Sequence, residues 1–318
     1  MASALGWFLL GLLLLALGGD SLVKGASGMA RRLRWSPFVV GLVLVALATS
    51  IPEIAVNARA VAIGQGDLAL GNAVGSNVAN IGMTLAGAAL AAPLLLRWRL
   101  LSPLLLMLLA ATAAVFLCAL DGRISPLEGG LLVAGFIASM AIAIRRAHSD
   151  DADVRAEIEG FTTTSDQLGL NVVRLVLATA LIGAGAWLVV RDAPALGEAL
   201  GLTPLMTGLL PVALGTALPE LAAALAAARR GQGDLVAGHV LGSSLVNLLL
   251  VVGGMALLGG GLAIPHSFLR YELPAAFVFA LMLIPVLRGD MRVTRGEGGA
   301  LAIAFVAWIV FELVLLAG

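Results

Sequence analysis

Two segments of this chain put cation-coordinating residue types inside otherwise apolar runs. The first is Ala46-Leu47-Ala48-Thr49-Ser50-Ile51-Pro52-Glu53, and the second, Ala213-Leu214-Gly215-Thr216-Ala217-Leu218-Pro219-Glu220, nearly repeats it. A carboxylate in a hydrocarbon setting is expensive and is retained where it works. Pro52 offers no N–H to the carbonyl of Ala48 and its ring clashes there, so a helix must break or kink at this point. The carbonyls of Ala48 and Thr49 are released, and such groups persist in a membrane only against protein, water or an ion. Thr49 and Glu53 share a helix face, as do Thr216 and Glu220. Downstream of each break stands a polar stripe at helical spacing: Asn72, Ser76 and Asn80, then His239, Ser243 and Asn247. Carboxylates, hydroxyls, amide oxygens and freed carbonyls form a hard-oxygen set suited to Na⁺ or Ca²⁺, and together they reach the roughly six to eight ligands that Ca²⁺ takes.

The elements that must position these groups are membrane helices. Of 318 residues, 60% are hydrophobic and only 12% charged, about half the charge of an ordinary soluble domain. Mean hydropathy is +1.05. Apolar runs of about 20 residues recur from end to end, without the alternation of barrel strands. The pattern predicts an all-α polytopic membrane protein with ten spans, near 4–26, 36–63, 67–92, 101–119, 126–145, 168–190, 203–229, 233–258, 270–287 and 298–316. The first run is followed, not preceded, by its basic residues, the wrong order for a cleaved signal. Residues 148–167 form the only long polar stretch, a solvated linker between a first half (1–147) and a second (168–318).

The halves are copies. Pro37, Gly41, Glu53, Gln65-Gly66-Asp67, Gly75 and Asn80 each recur 167 positions later, at Pro204, Gly208, Glu220, Gln232-Gly233-Asp234, Gly242 and Asn247. Repeat cores lie near 41–87 and 208–254. Five spans separate them, so the second copy is inverted, with helices 2 and 7 broken at matching places. Inverted repeats of this kind place a site at their interface near the midplane. Lys and Arg sort by side: with the N-terminus outside, about 15 of the 19 basic residues fall on the cytoplasmic face. Both termini are then outside the cytoplasm, in a bacterial or archaeal inner or plasma membrane.

The same motifs carry a family resemblance. Ala48-Thr49-Ser50-Ile51-Pro52-Glu53 with Gly71-Asn72-Ala73-Val74-Gly75-Ser76-Asn77-Val78-Ala79-Asn80 resembles the first α-repeat of the Na⁺/Ca²⁺ exchangers, within the cation/Ca²⁺ exchanger superfamily. Gly215 to Glu220 with Gly242-Ser243-Ser244-Leu245-Val246-Asn247 resembles the second. The resemblance implies the prokaryotic ten-helix layout and antiport of Ca²⁺ against Na⁺ by alternating access. It also implies a ligand set of Thr49, Ser50, Glu53, Ser76, Asn80, Thr216, Glu220, Ser243 and Asn247, with transported ions and no cofactor. Three positions depart from the pattern: Ala217 where Ser50 has a hydroxyl, His239 opposite Asn72, and Asn247 where such exchangers often carry Asp. Only Glu53 and Glu220 then bear charge. One Ca²⁺ neutralises them, whereas three Na⁺ leave one charge uncompensated in a low-dielectric pocket. The expected coupling is therefore near two monovalent ions per Ca²⁺, or protons in place of some Na⁺.

Other readings stay open. The fold could exchange H⁺ or another divalent cation, or simply bind a cation without transporting it. Asn80 and Asn247 could be interhelical hydrogen-bond glue, Ser76 and Ser243 tight packing, and His239 a structural donor or a titrating group. Asp20 and Lys24 should pair on the surface, and Glu128, Glu272 and Glu312, near span ends, should be interfacial. No zinc-protease, nucleophile-elbow or phosphate-loop motif is present, so neither an enzyme nor ATP-driven transport is expected. Zero net charge gives no reason to expect nucleic acid. The lone Cys118 excludes an intrachain disulfide, and no obligate protein partner is evident beyond the lipid bilayer.

Overall fold

Ten helical spans in two topologically matched halves carry the chain, in a computed structural model that describes residues 2–32, 50–96, 98–147, 165, 167–229, 231, 233–288 and 292–317. The first half comprises α1 (Ala2–Arg32), α2 (Ile51–Ala62), a third span built of α3 (Gly66–Ala79), a π-turn (Asn80–Leu85) and α4 (Ala86–Ala91), then α5 (Trp98–Ala119) and α6 (Pro126–Ala147). The second comprises α7 (Leu168–Ala199) and a seventh span of α8 (Pro204–Thr207), a π-turn (Gly208–Val212), α9 (Ala213–Thr216) and α10 (Leu218–Arg229). Its eighth span joins α11 (Gly233–Leu245), a π-turn (Val246–Val251) and α12 (Val252–Leu258); the ninth joins a π-turn (Phe268–Glu272) to α13 (Leu273–Arg288); the tenth is α14 (Arg295–Ala317). Seven helices are long and apolar enough to cross a membrane, and Pro126–Ile142 is a shorter apolar one. Pro37, Gly41 and Thr49 lie outside the described residues, as does most of the 148–167 linker.

Two small antiparallel pairings stitch the halves together. Strand β1 (Leu94–Leu95) pairs with β4 (Arg292–Val293), and β2 (Arg123–Ile124) with β3 (Leu262–Ala263). Paired strands must lie on one side of the membrane, so an even number of spans must separate them. Six spans separate β1 from β4 and four separate β2 from β3, as the ten-span alternation requires. The pairing of the first half's third loop with the second half's last, and the reverse, is the inverted two-fold expressed in backbone hydrogen bonds.

The core belongs to the repeats. In the third and eighth spans 83% of residues are buried inside the protein, against 28% in the first, sixth and tenth. The centre is glycine-packed: a Cβ at Gly71 or Gly75 would overlap the carbonyl oxygens of Leu205 or Leu209, and one at Gly208 would overlap that of Leu68. The third and seventh spans thus cross with backbones nearly touching, as small residues allow in membrane interfaces. At the periphery α1 lies along α7, Gly11 against Gly185 and Gly18 against Ile182, and Arg191 is held over the rings of Trp187 and Trp7 at 4.5 and 5.5 Å.

Three expectations are revised or refined. The sixth span does not stop near 190: α7 runs to Ala199 because Ala193, Leu196 and Gly197 stay buried and its last turn packs Gly197 on Thr207. Glu128 is the reciprocal half of a capping box, its carboxylate accepting from Ser125 N–H at 2.8 Å, and Glu297 does the same for Thr294. Glu272 and Glu312 do lie near span ends but are buried inside the protein, at 3% and 2% exposure. The π-turn ending at Glu272 shifts the helix face by one residue, and α14 seats its inner face on the third span, Phe305 covering Gly82. Lys24 and Asp20 do pair on the surface, at 2.6 Å.

Because the Gly75 notch is filled by the backbone of Leu209, Gly75→Val should lower unfolding stability by about 1–3 kcal/mol, read from thermal unfolding in detergent. Gly135→Ala, with nothing within 4 Å, should leave the midpoint in place.

Candidate cation site

Glu53 and Glu220 each stand in the first turn of a helix that carries a proline there, α2 and α10. Pro52 occupies the opening turn of α2 and Ser50 its N-cap, at φ −86° and ψ 5°, so the proline's missing N–H costs the helix nothing. In the seventh span the interruption falls at Ala217, between α9 and α10. Glu53 and Glu220 enter the core from these two turns at 1% and 0% exposure. They lie close enough for their charges to repel, and among the described residues no Lys or Arg forms an ion pair with either.

Polar groups from both halves converge here. Ser50 Oγ and Ser243 Oγ are 2.7 Å apart. The Thr216 hydroxyl lies beside the Glu53 carboxylate and approaches Asn72 Oδ1 at 3.4 Å and the Ala213 carbonyl at 3.3 Å. Asn72 in turn donates from Nδ2 to Asn57 Oδ1 at 3.1 Å. Ser76, Asn80 and Asn247 are fully buried on the third and eighth spans, and a π-turn begins at Asn80 and another at Val246, directly before Asn247. The extra residue of a π-turn re-aims the side chains at its start and recurs at functional sites.

Orphaned oxygens mark the chemistry. Glu53 Oε2, both oxygens of Glu220, Ser76 Oγ and Asn247 Oδ1 are buried without a hydrogen-bond partner. Buried polar groups are nearly always paired, so such a concentration calls for a missing ligand. Every orphan oxygen here is hard, and two belong to a carboxylate with no competing partner. The set fits a small hard cation and offers nothing to a soft one.

Sequence symmetry explains one orphan. The pair related to Ser50 and Ser243 is Ala217 and Ser76. With a methyl where Ser50 has its hydroxyl, Ser76 Oγ has no partner, whereas Ser243 has one. The first-half counterpart of the Thr216 contact, Thr49, lies outside the described residues. His239, opposite Asn72, is buried at 6% exposure. Asn57 is the residue that sequence reasoning missed: it is fully buried, stands four positions after Glu53 on the same helix face, and anchors Asn72. Its spacing was the available signal. Its counterpart is Ala224, so the Asn57–Asn72 amide pair is not repeated in the second half.

A cavity of about 660 Å³ opens at the ends of the second, third, sixth, seventh and eighth spans, lined by Gln65, Asp67, Leu68, Glu198, Thr207 and Leu262 among others and by none of the site residues above. Leu262 and Ala263 of β3 form part of its wall, which places it on the face that carries the β2–β3 pairing.

The sodium/calcium exchanger protein family matches residues 3–145 and 170–314. The CaxA protein of Alkalimonas amylolytica is 34% identical, over 94% of this chain and 95% of that one. The sodium/calcium exchanger MaX1 of Methanosarcina acetivorans is 30% identical, over 95% and 96%. Among solved structures, the sodium-calcium exchanger NCX_Mj soaked with Na⁺ and Sr²⁺ superimposes with a TM-score of 0.68 at 27% identity, over 97% of this chain and 98% of that one.

Asn57→Leu strands the Asn72 amide in the core, and should cost about 1–3 kcal/mol of stability. In a thermal double-mutant cycle with Asn72→Leu, a coupling of about 0.5–3 kcal/mol is expected; additive losses mean that Asn57 does not hold Asn72.

Proposed function

The chain belongs to the sodium/calcium exchanger protein family, and from that premise we propose that it moves Ca²⁺ across the membrane in exchange for Na⁺ by alternating access. The observation that carries this reading is the facing pair Glu53 and Glu220, buried without cationic partners, amid orphaned hard oxygens from both inverted halves. In this reading Glu53, Glu220, Ser50, Ser76, Asn80, Thr216, Ser243 and Asn247, with Thr49, form the ion-binding set. Ca²⁺ is matched by two carboxylates, and its hydration shell is replaced by fixed oxygens. A cation of either kind relieves the repulsion that the empty pair carries, so ions compete for one set of charges. That competition is what couples their movements.

The charge count sets the coupling. With Asn rather than Asp at 247, two carboxylates balance one Ca²⁺ or two monovalent ions, and exchange close to electroneutral follows. The 660 Å³ cavity, with Asp67 and Glu198 in its wall, is the entry vestibule. The distribution of Lys and Arg puts its mouth on the non-cytoplasmic side, together with both termini, and puts the 148–167 linker in the cytoplasm.

Radioactive Ca²⁺ uptake into proteoliposomes, driven in turn by a Na⁺ gradient and by a pH gradient, tests the reading. Na⁺-driven uptake is expected. Uptake under the pH gradient alone would make the counter-ion H⁺, and uptake under neither would leave a cation-binding protein. Glu53→Gln and Glu220→Gln should each abolish uptake; wild-type flux in either variant places the site elsewhere. Asn247→Asp adds a third carboxylate and should convert weakly electrogenic exchange into exchange that carries a current at zero applied voltage.

A further inference from the structure

Glu272 and Glu312 lie outside the cation site, and the proposed exchange does not use them. They have no acidic counterparts in the first half: the strands and capping boxes of the last spans are related by 168–169 positions, which sets Leu104 and Ala143 opposite them. Both are nonetheless buried, at 3% and 2% exposure. They come from different helices, Glu272 from the turn that opens the ninth span and Glu312 from the last turns of α14, and the ring contact between the residues preceding them, Tyr271 and Phe311, brings the two positions together. Adjacent residues fasten the same seam: Tyr271 meets Phe311 edge-on at 5.9 Å, and Phe279 meets Trp308 at 6.5 Å.

Their hydrogen bonding is incomplete. Ser267 serves Glu272, and the Trp308 indole is directed at Glu312. Trp308 is itself 6% exposed, and its Nε1 completes no hydrogen bond of good geometry. Glu272 Oε2 and Glu312 Oε1 remain buried with no partner at all. Among the described residues neither acid forms an ion pair. The neighbouring charges are otherwise occupied or distant. Arg270 sits over the Tyr271 ring at 5.4 Å. On the packed elements, Arg99 and Arg292 lie at the opposite membrane face, Asp67 is exposed at the end of the third span, and Cys118 is half-buried near the end of α5.

We propose that Glu272 and Glu312 form a second binding site, for a single proton held between their carboxyl groups at the seam of the ninth and tenth spans. Two uncompensated negative charges buried side by side are unfavourable, and one bound proton both removes a charge and supplies the missing donor between the free oxygens. A metal fits less well. Two of the four oxygens already face donors, leaving far fewer than the roughly six to eight that Ca²⁺ takes, and the indole N–H opposes a cation. The protonated pair joins the tenth span to the ninth; loss of the proton sets like charges against each other across the seam. The site therefore makes the packing of these helices sensitive to pH on the face of the β2–β3 pairing, independently of Glu53 and Glu220.

The test uses the full chain in lipid nanodiscs and needs no transport. In a Glu53→Gln/Glu220→Gln background, infrared difference spectra between acid and alkaline pH should show a buried carboxyl C=O band that disappears as pH rises. The band should be absent after Glu312→Gln, and also after Glu272→Gln, which serves if the first variant fails to fold. The thermal midpoint of the background protein should fall across the same pH interval and stay flat in both variants. A band that survives both substitutions overturns the proposal. So does one removed at constant pH by Na⁺ or Ca²⁺, which would assign the pair to a metal instead.

Discussion

The repulsion between Glu53 and Glu220 is the constraint around which the molecule is arranged. Two carboxylates at about 1% exposure with no ion-pair partner among the described residues cannot be stabilised by the hydrophobic core, since burying an unpaired charge costs several kcal/mol per ion. Only a bound cation, or protons, can complete the structure at that point. The elements nearby shape that point. The proline breaks turn the helix starts inward, the Gly71, Gly75 and Gly208 notches bring backbones to contact, and the Ser50–Ser243 contact spans the two halves.

For the proposed exchange, close packing and a two-conformation cycle make opposite demands, and the architecture divides them. The third and eighth spans, mostly buried, hold the oxygens on a rigid crossing. The first and sixth spans are mostly exposed and meet along glycine-lined faces, Gly11 on Gly185 and Gly18 on Ile182, which resist sliding less than interlocked large side chains do. The strand pairings at the two faces tie the outer loops of one half to those of the other, so the peripheral fourth, fifth, ninth and tenth spans are linked in one frame.

Much of this was legible in the sequence because membrane helices announce themselves by length and apolarity, and because a repeat in register doubles each signal. Glu53 with Glu220 and Asn80 with Asn247 are found by subtraction alone. What was not legible depends on backbone geometry that periodicity averages over. A π-turn adds one residue without altering composition, so the turns at Asn80 and Val246 are invisible, as is the rotation that buries Glu272. Two-residue strands such as Arg123–Ile124 are too short to show alternation. Asn57 was available in principle, but a lone amide in a helix gains meaning only when its partner Asn72 is seen opposite. The extension of α7 past residue 190 reflects tertiary burial of Leu196 and Gly197, which overrides what Arg191, Asp192 and Pro194 suggest locally.

The differences between the halves carry as much information as their likeness. If two inverted repeats were identical, exchanging their conformations would turn the state open on one face into the state open on the other at equal energy. Each asymmetric residue removes that degeneracy, because an equilibrium between two states shifts by the difference in free energy that the residue contributes to them. Ser50 bonds Ser243, while Ala217 leaves Ser76 without a partner. Asn57 anchors Asn72, while the position related to Asn57 is the apolar Ala224. A hydrogen bond contributes about 0.5–1.5 kcal/mol net, so even one such difference moves the ratio of the two states by a factor of about 2–13. In the proposed exchange, the residues that break the symmetry are thus the ones positioned to set the resting state, while those that keep it, Glu53 with Glu220 and Asn80 with Asn247, would bind the ion in both.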